Sequence, residues 1–349
     1  MKALLVAHDV APSQILEMLA TNMEKSGRHL CRRCLAFGVA PDHPLGLEEF
    51  KEVDFVLIGM SSSAVLAKQE IFAAKNAAER GIPLGFVSDL FGCYKRPWLA
   101  EYRKHTKFVF LPVAQEVRGA KFLFPNAEVI FSGNPCWEKY FEPANPVEDT
   151  RGALGFGIDD KVIMCSGGKG LVLNMLLYGG VIEAAHLLDK RSQEGWRVVI
   201  NLHPGDRSDP ELYSGFVTHS KVPVRIVRAP EFSAHNLIAA SDLLVAPASN
   251  TGIEAACMRK PVINYFTELY FNEMESYDGM RIWPPCQMGI SSQVSSNPSS
   301  LANKIFALLV HGGYKQEMLI RQMNVFPVVA NPGEAIKKIC QAIDSLEGQ

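Results

Sequence analysis

The segment 240–266, ASDLLVAPASNTGIEAACMRKPVINYF, constrains the fold of this chain more than any other part of the sequence. Its apolar pattern predicts a strand at Leu243–Ala246, a helix at Ile253–Met258 and a second strand at Val262–Tyr265. Pro261 marks the end of the helix, because proline has no N–H group to continue the helical hydrogen-bond ladder. A strand, a helix and a strand in this order predict a parallel sheet covered by helices.

The turn between the first strand and the helix is rich in hydrogen-bonding groups. It contains Ser249, Asn250, Thr251 and Gly252, and Glu254 follows in the first turn of the predicted helix. Unpaired N–H groups and the positive end of the helix dipole make such a turn suited to an anion. A carboxylate one step inside the helix is well placed to hold the two hydroxyls of a ribose. The segment therefore predicts a site for a nucleoside diphosphate, although Ser, Asn and Thr are also ordinary helix caps.

The same alternation of strands and helices runs through the whole chain. Further apolar runs predict strands at Ala3–Ala7, His29–Phe37, Val53–Gly59, Leu84–Ser88, Phe108–Leu111, Val129–Ser132, Lys161–Cys165, Arg197–Asn201 and Val224–Val227. Apolar strands separated by helices are typical of a parallel sheet that is covered on both faces. The stretch 270–297, which is rich in Ser, Pro and Met, is predicted to be irregular.

A cluster of turn residues and prolines at 133–146 interrupts the pattern, which then restarts. We interpret this cluster as a linker and expect an α/β fold of two doubly wound, Rossmann-like domains, 1–140 and 141–330. Ligands of such domains bind at the carboxyl ends of the strands, and a cleft between two domains is a favoured location. We also expect the two halves to close on each other about the linker.

Charge and hydropathy exclude several classes of protein. The 349 residues include 35 Lys and Arg against 37 Asp and Glu, a net charge of −2 without long runs of one sign, so no nucleic-acid partner is expected. The first apolar run is too short for a signal peptide, and no stretch approaches the length of a spanning helix. A cytoplasmic protein without a transmembrane segment is expected. Peripheral membrane contact and the oligomeric state stay open.

Cysteine spacing gives little support for a metal or redox centre. Among the eight cysteines, Cys31 and Cys34 form a C-x-x-C pair without a second pair to accompany it. Both lie in a predicted strand, where positions three apart point to opposite faces. Buried thiols in a reducing compartment explain them better. Neither a metal nor a cofactor is predicted.

Three further features of the second half lie where ligands of parallel sheets bind. Ser166, Gly167 and Gly168 open a glycine-rich turn between a strand and a helix, and such a turn can contact a diphosphate or a sugar. It is not a P-loop, and a tight turn that needs glycine dihedrals is the alternative. His203 ends a strand and could bind a phosphate or polarise a leaving oxygen, or simply cap that strand. Arg228 also follows a strand and could contact a phosphate or a base. The favoured interpretation of Arg228 is a solvated charge.

The first half offers two candidates for a catalytic base. His8 follows the first strand together with Asp9, and Asp89 ends a later strand. Imidazole and carboxylate groups are the usual general bases. Each residue alone is better explained as structural, but the ends of parallel strands meet at one edge, so at least one is expected to face the ligand.

In the second half, three motifs resemble those of GT-B glycosyltransferases and the related UDP-GlcNAc 2-epimerases. Gly133-Asn134-Pro135 is similar to the "TGNP" motif before the hinge, and His203-Pro204 is similar to the "HP" pair. Residues 249–255 with Lys260-Pro261-Val262 resemble the signature "SGG-x-x-x-EA…G-x-PV". The resemblance covers nearly the whole chain as architecture, while its sequence motifs lie in the hinge and the second half.

The resemblance implies specific roles for these residues. Glu254 would hold the ribose, the turn formed by Ser249, Asn250, Thr251 and Gly252 would contact the diphosphate, and residues 166–168 would face the sugar. It also implies a UDP-type donor, no obligatory metal, and a last helix within 331–349 that crosses back onto the first domain.

The first half departs from the epimerase pattern. The motif "H-x-E-A-G-x-R" is expected near Val87, where this chain has Val87-Ser88-Asp89-Leu90-Phe91-Gly92. The acceptor loop "G-G-T-x-G-H" of some transferases is also absent. The leading hypothesis is therefore a glycosyltransferase that moves a sugar from a nucleoside-diphosphate donor to an unknown acceptor, with the donor in the second domain and the base from the first. The alternatives are a UDP-GlcNAc 2-epimerase and a non-catalytic protein that binds a nucleotide sugar.

Overall fold

A computed structural model describes residues 1–27, 29–39, 44–142, 145–192, 194–278, 282–295, 297–327 and 332–348. The chain divides into two compact units. The first comprises Met1–Lys139 with Val329–Gln349, and the second comprises Tyr140–Val328. Within the described ranges, each unit contains one parallel sheet of six strands. This confirms the predicted α/β class with two Rossmann-like domains.

The first unit is built on strands in the order β2-β1-β3-β4-β5-β6. Their bounds are β1 Lys2–Ala7, β2 Leu30–Leu35, β3 Phe55–Gly59, β4 Leu84–Val87, β5 Thr106–Leu111 and β6 Glu128–Phe131. The helices of this unit are α1 Val10–Lys25, α2 Lys68–Arg80, α3 Val117–Leu123 and α13 Glu334–Asp344. Short 3-10 helices lie at Leu47–Phe50, Cys93–Lys95, Pro97–Leu99, Arg103–His105, Ala114–Glu116 and Ser345–Gly348, and another, Pro135–Phe141, spans the boundary of the units.

Alternate side chains of β1 enter two hydrophobic cores, one on each face of the sheet. Leu4 and Val6 pack on the side of α2 and α3. Ala3, Leu5 and Ala7 pack on the side of α1 and α13. The strand is therefore apolar at every position after Lys2, as expected of a parallel sheet with both faces covered.

The last helix belongs to the first unit, as the resemblance implied. The Glu138 carboxylate accepts hydrogen bonds from the N–H groups of Gly333 at 2.6 Å and Ala335 at 2.9 Å, which satisfies donors at the start of α13. Near its other end, Asp344 Oδ1 lies 2.8 Å from Nε2 of His29. The apolar face of α13 is buried against α1.

The second unit is built on strands in the order β12-β11-β10-β7-β8-β9. Their bounds are β7 Lys161–Ser166, β8 Trp196–Asn201, β9 Val224–Val227, β10 Leu243–Ala246, β11 Val262–Phe266 and β12 Ser292–Ser295. Its helices are α4 Val147–Leu154, α5 Leu171–Arg191, α6 Ser214–Thr218, α7 Ala234–Ala240, α8 Asn250–Cys257, α9 Glu268–Asp278, α10 Pro284–Gln287, α11 Pro298–Leu309 and α12 Gly313–Val325, with a 3-10 helix at Pro210–Tyr213.

The prediction of irregular structure over 270–297 is wrong. This stretch contains most of α9, all of α10 and the edge strand β12. The strand pairs on one side only, with β11, and its sequence Ser-Gln-Val-Ser carries a single apolar residue. An edge strand of this composition has no apolar periodicity by which it could be recognised.

The helix α5 also differs from expectation, since it is long and apolar enough to cross a membrane by length and composition alone. It has 21 residues and a mean hydropathy of 1.6 in its most apolar window. Half of that window is buried inside the protein, where Leu177, Val181 and Leu188 contribute to the core of the second unit. The core helix of a parallel sheet has the same composition as a spanning helix of this length.

Candidate functional site

The residues predicted to bind a nucleotide lie at one edge of the second sheet. β7 is followed along the chain by β8 and β9 on one side, and the chain then returns to β10 on the other side of β7. All these strands are parallel, so their carboxyl ends share an edge, and ligands of such sheets bind where the strand order reverses. The loops after β7 and β10 meet there, with Ser166 Oγ 3.5 Å from Thr251 Oγ1.

The start of α8 leaves polar atoms without partners. Ser249 takes the N-cap position with extended backbone (φ −150°, ψ 157°), yet its hydroxyl makes no capping hydrogen bond. In the described part of the chain, Ser249 Oγ and Asn250 Oδ1 are buried atoms with no hydrogen-bond partner. Buried polar groups are normally paired, so unpaired ones at a helix N-terminus point to a missing ligand.

Glu254 lies one turn deeper in the helix than the sequence predicted. The helix begins at Asn250 rather than Ile253, with Ser249 at the N-cap position, so Asn250, Thr251 and Gly252 already belong to the helix. Residues three and four apart share a helix face, so Glu254 lies on the face of Thr251 and Asn250. It is half-buried there. A ribose held by Glu254 would therefore lie beside this face, rather than directly over the helix end.

The glycine-rich turn after β7 is held by side chains of α5. Asn174 accepts from the N–H of Gly168 at 2.8 Å and donates to the Gly168 carbonyl at 2.9 Å. A Cβ atom on Gly167 would lie 2.0 Å from the hydroxyl of Tyr178 and 2.5 Å from Asn174 Oδ1, so no other residue fits. A Cβ atom on Gly168 would meet nothing within 4 Å. The turn is thus packed underneath and open above Gly168.

No sequence pattern indicated the residues that connect this turn to the next loop. Asp206 Oδ2 accepts from Asn174 Nδ2 at 2.9 Å and from the Tyr213 hydroxyl at 2.7 Å. Burial opposes ionisation of Asp206, but hydrogen bonds from Ser208, Tyr213 and Asn174 outweigh it and lower the pKa of this carboxyl. In the sequence, Asn174 lies in an apolar run and Tyr213 in a largely polar one, and only the fold shows that both donate to the Asp206 carboxylate.

Arg228 belongs to the same network, and it is not simply a solvated charge. Its Nη2 donates to the carbonyls of Asp206 at 3.2 Å and Ser208 at 3.4 Å. Its Nε is buried without a hydrogen-bond partner among the described residues. The guanidinium therefore fixes the loop after β8 and leaves one N–H group for another acceptor.

His203 is held as a neutral hydrogen-bond donor. The N–H of Gly205 donates to His203 Nδ1 at 2.9 Å, so the ring proton of the neutral form is on Nε2. Burial, and then the positive charge of Lys169, lower the pKa of this imidazole, while Asp206 opposes them. A neutral ring with Nε2–H can donate to a phosphate oxygen at neutral pH.

At the carboxyl edge of the first sheet, a buried carboxylate organises the loop that carries His8. Glu70 is fully buried, and its Oε1 accepts from the N–H of His8 at 2.9 Å and from the hydroxyl of Ser61. Burial raises the pKa of Glu70. Asp9 in turn accepts from the N–H of Ser62 at 2.7 Å. The backbone of His8 is therefore fixed, while its imidazole is half-buried. Sequence reasoning missed Glu70, which lies in a helix 62 residues from its partner.

Asp89 lies at the same edge of the first sheet but is 7% exposed. Cys93 Sγ donates to its Oδ1 at 3.5 Å. Burial raises the pKa of Asp89, the charge of Arg96 opposes this, and Asp9 adds to it. A carboxyl group this deeply buried is poorly accessible to a substrate.

The cysteine pair shows no sign of a shared function. Cys31 and Cys34 lie on β2 as free thiols, and burial raises the pKa of each to about 11. In the part of the chain that the structure describes, no group of three or more His, Cys, Asp or Glu side chains could hold a metal ion.

Comparisons with known proteins give matches of structure and none of sequence. No protein-family model and no curated protein sequence matches the chain. The UDP-GlcNAc 2-epimerase of Neisseria meningitidis, solved bound to UDP-GlcNAc, has a TM-score of 0.66 at 15% identity, covering 99% of this chain and 100% of the epimerase.

Two other solved structures show the same likeness. The UDP-GlcNAc 2-epimerase of Methanocaldococcus jannaschii, in complex with UDP-GlcNAc and UDP, has a TM-score of 0.61 at 13% identity, with coverage of 99% and 100%. Phytolacca americana UGT2, complexed with UDP-2-fluoroglucose and pterostilbene, has a TM-score of 0.60 at 10% identity, also with coverage of 99% and 100%. These likenesses confirm the GT-B type of fold that the sequence predicted. At such identities they are evidence of fold and not of activity.

Proposed function

We propose that this chain is a glycosyltransferase that binds a UDP-sugar at the carboxyl edge of its second sheet and transfers the sugar to an acceptor hydroxyl. The observation that carries the proposal is a pair of buried atoms at the start of α8 that have no hydrogen-bond partner among the described residues. Ser249 Oγ can donate to a phosphate oxygen, and Asn250 Oδ1 can accept from a sugar or ribose hydroxyl. They lie at the point where the strand order reverses, beside an open glycine turn.

The groups of this edge suit a diphosphate. The N-terminus of α8 and the Nε2–H of His203 are hydrogen-bond donors suited to phosphate oxygens. Lys169 adds a positive charge near His203. Donors of this kind stabilise a leaving diphosphate without covalent catalysis. Glu254, on the flank of α8, would accept from the ribose hydroxyls.

The proposed reaction is a single group transfer. The acceptor oxygen bonds to the anomeric carbon of the sugar while the bond from that carbon to the diphosphate breaks. UDP leaves with the bonding electrons, and the acceptor proton passes to a base. We assign the base to His8, because its backbone is fixed by Glu70 and the residue is partly exposed, whereas Asp89 is buried.

A UDP-GlcNAc 2-epimerase is the second candidate, and the solved epimerases of the same fold favour it. Against it stands the departure of Val87–Gly92 from the epimerase motif, which leaves the buried Asp89 at the end of β4. A transferase needs an acceptor to remove the sugar from UDP, whereas an epimerase acts on the nucleotide sugar without an acceptor.

Release of UDP from UDP-glucose and UDP-GlcNAc, with and without a panel of hydroxyl-bearing acceptors, separates the candidates. A transferase releases UDP in proportion to acceptor and yields a glycosylated acceptor by NMR. An epimerase inverts C2 of the 2-acetamido sugar of UDP-GlcNAc without acceptor, and NMR detects the inverted sugar whether it stays on UDP or is released as the free sugar. UDP binding without either product would support the non-catalytic alternative, and absence of UDP binding would exclude all three.

A further inference from the structure

A cavity of about 490 Å³ lies in the second unit, away from the proposed UDP-sugar site. It is lined by Ser292 and Gln293, at the start of β12, and by side chains of α11 and α12. The cavity is therefore at the amino end of this strand, whereas the proposed UDP-sugar site is at the carboxyl ends of its neighbours. Its volume is in the range of about 300–1,000 Å³ that is usual for small-molecule sites.

The strand that lines the cavity offers groups for hydrogen bonds. β12 is an edge strand, and in the described ranges it pairs only with β11. Edge strands present backbone N–H and C=O groups that no neighbouring strand uses. Gln293 is partly exposed, yet its Oε1 is buried without a hydrogen-bond partner among the residues that the structure describes. Buried polar atoms are normally paired, so this oxygen indicates a donor that a ligand would supply.

Two cationic side chains line the same cavity. Lys304 of α11 is partly exposed, and its Nζ lies 5.9 Å from the centre of the Tyr314 ring. It forms no ion pair with any carboxylate in the described part of the chain. Arg321 of α12 donates from Nη2 to Glu317 Oε1 at 2.5 Å, and Glu317 also lines the cavity. One positive charge is thus left over, and it favours an anionic group beside Lys304.

Gly289 holds the second cation against the wall of the cavity. A Cβ atom on Gly289 would lie 2.3 Å from Arg321 Nη1 and 2.6 Å from Arg321 Cδ. Gly289 also has a φ of 70°, in the left-handed region that glycine adopts readily. The arginine side chain therefore packs directly on the loop between α10 and β12, and its position depends on this packing as well as on Glu317.

The rest of the lining is partly apolar. Leu308 and Met318 are buried apolar side chains of the wall, and the ring of Tyr314 is 64% exposed beside Lys304. Small-molecule sites commonly combine apolar and aromatic walls with a few polar groups that fix the orientation of the ligand. A sugar ring matches such a lining, because it has apolar C–H faces and hydroxyl groups at its edge.

We propose that this cavity binds a small hydroxylated anion, a sugar phosphate or a sugar acid. The phosphate or carboxylate would lie at Lys304 and Arg321, and a hydroxyl group would donate to Gln293 Oε1. The inference goes beyond the proposed function and does not depend on it, because no residue that lines the cavity belongs to the proposed UDP-sugar site.

Five probes separate the charge of the ligand from its hydroxyl groups. Glucose 6-phosphate and glucuronate carry both, glucose carries only hydroxyl groups, and inorganic phosphate and acetate carry only the charge. By calorimetry on the full chain, we expect one sugar anion to bind at least about tenfold more tightly than glucose and than its own bare anion. The preferred sugar anion distinguishes a phosphate from a carboxylate ligand. Binding of neither sugar anion, or equal affinity for a sugar anion and its bare anion, would overturn the proposal.

Two variants identify the cavity as the site of binding. Lys304→Met should weaken binding of the preferred sugar anion at least about tenfold. Lys190→Met, at an exposed position of α5, is the matched control and should leave the affinity unchanged. Gln293→Met should reduce the preference for the sugar anion over its bare anion. Without ligand, its melting temperature should equal or exceed that of the wild type, since an unpaired buried oxygen is removed.

Unchanged affinity in folded Lys304→Met and Gln293→Met proteins would place the probe elsewhere and overturn the proposal. Each titration is repeated with saturating UDP, because a sugar phosphate could also enter the proposed UDP-sugar site. Binding of the sugar anion should persist in UDP, and binding that UDP abolishes would contradict a separate site. Failure of the chain to bind UDP would refute the proposed function and leave the comparison of the variants intact.

Discussion

Glu254 is the side chain on which recognition of the nucleotide depends most in this proposal. Replacing Glu254 by Ala removes the acceptor for the ribose hydroxyls and leaves the cap of α8 in place. We expect a loss of about 1.5–3 kcal/mol of UDP binding free energy, the range for hydrogen bonds to a charged group. Isothermal calorimetry with UDP measures this, and thermal unfolding checks that the variant is folded.

Glu183→Ala is the matched control, since Glu183 is an exposed carboxylate on α5 of the same unit. Its UDP affinity should equal that of the wild type. A folded Glu254→Ala protein with unchanged UDP affinity would show that the ribose does not lie against α8.

The two base candidates of the first unit differ in their expected effects. His8→Gln should lower turnover by about 10²–10⁴-fold while UDP affinity stays nearly intact, because a positioned base accelerates the chemical step only. Asp89→Asn should lower turnover less, since its carboxyl is buried and poorly accessible to a substrate. Steady-state kinetics with a productive acceptor measure both, and full activity in His8→Gln would exclude this residue as the base.

Glu116 makes stability depend on pH at a site outside the catalytic proposal. Burial raises its pKa to about 7 from 4.5, although the N–H of Gly92 at 2.8 Å and the charge of Lys95 oppose this. The folded state therefore binds a proton more tightly than the unfolded chain does. This stabilisation is complete below pH 4.5 and is lost as the pH rises towards about 7.

Glu116→Gln keeps an acceptor for Gly92 without the titration. The wild type should lose about 2–3 kcal/mol of unfolding free energy relative to this variant between the two ends of that range. Urea unfolding of both proteins across the range measures the difference. A difference that does not change with pH would mean that the carboxyl titrates normally.

At the scale of elements, the glycine turn after β7 offers a matched pair of substitutions. Gly167→Ala places a methyl group against Tyr178 and Asn174, so we expect a shifted turn, a lower melting temperature and weaker UDP binding. Gly168→Ala has room, so its melting temperature should stay close to that of the wild type. If the diphosphate lies over the turn, the methyl group of Gly168→Ala should still weaken UDP binding. Unchanged UDP affinity in both variants would remove this turn from the site.

All strands except the edge strand β12 could be predicted, because each is a short apolar run between turn residues. Val224–Val227 and Leu243–Ala246 have the predicted bounds. Helices between the strands indicated that the strands are parallel. Parallel strands end at the same edge of a sheet, so residues 166–168 and 249–252 could be predicted to lie at one edge. Helix starts were less predictable, since Asn250-Thr251-Gly252 is equally compatible with a turn and with the first turn of α8.

Contacts between distant parts of the chain could not be predicted. Asn174 and Tyr213 both donate to the Asp206 carboxylate, and Glu70 accepts from the backbone N–H of His8. None of these pairs of residues has a characteristic spacing in the sequence. The loops after β1, β2 and β3 are likewise adjacent only in the folded sheet. Such clusters depend on strand order, which a periodic pattern does not specify.

At the scale of the whole molecule, the two sheets carry different chemistry at equivalent edges. The edge of the second sheet has hydrogen-bond donors, as a diphosphate requires. The edge of the first sheet has a histidine whose backbone is held by a buried carboxyl group. We infer that the second unit binds the donor and that the first unit binds the acceptor.

Hydrogen exchange with and without UDP tests this division most directly, because it reports on every segment of the intact chain. Bound UDP should slow exchange in peptides that contain residues 166–170, 203–205 and 249–254. Peptides that contain residues 36–39 or 61–67, in the loops after β2 and β3 of the first unit, should exchange at unchanged rates with UDP alone. Slowed exchange confined to the first unit, or UDP binding without protection at the edge of the second sheet, would contradict the proposed site.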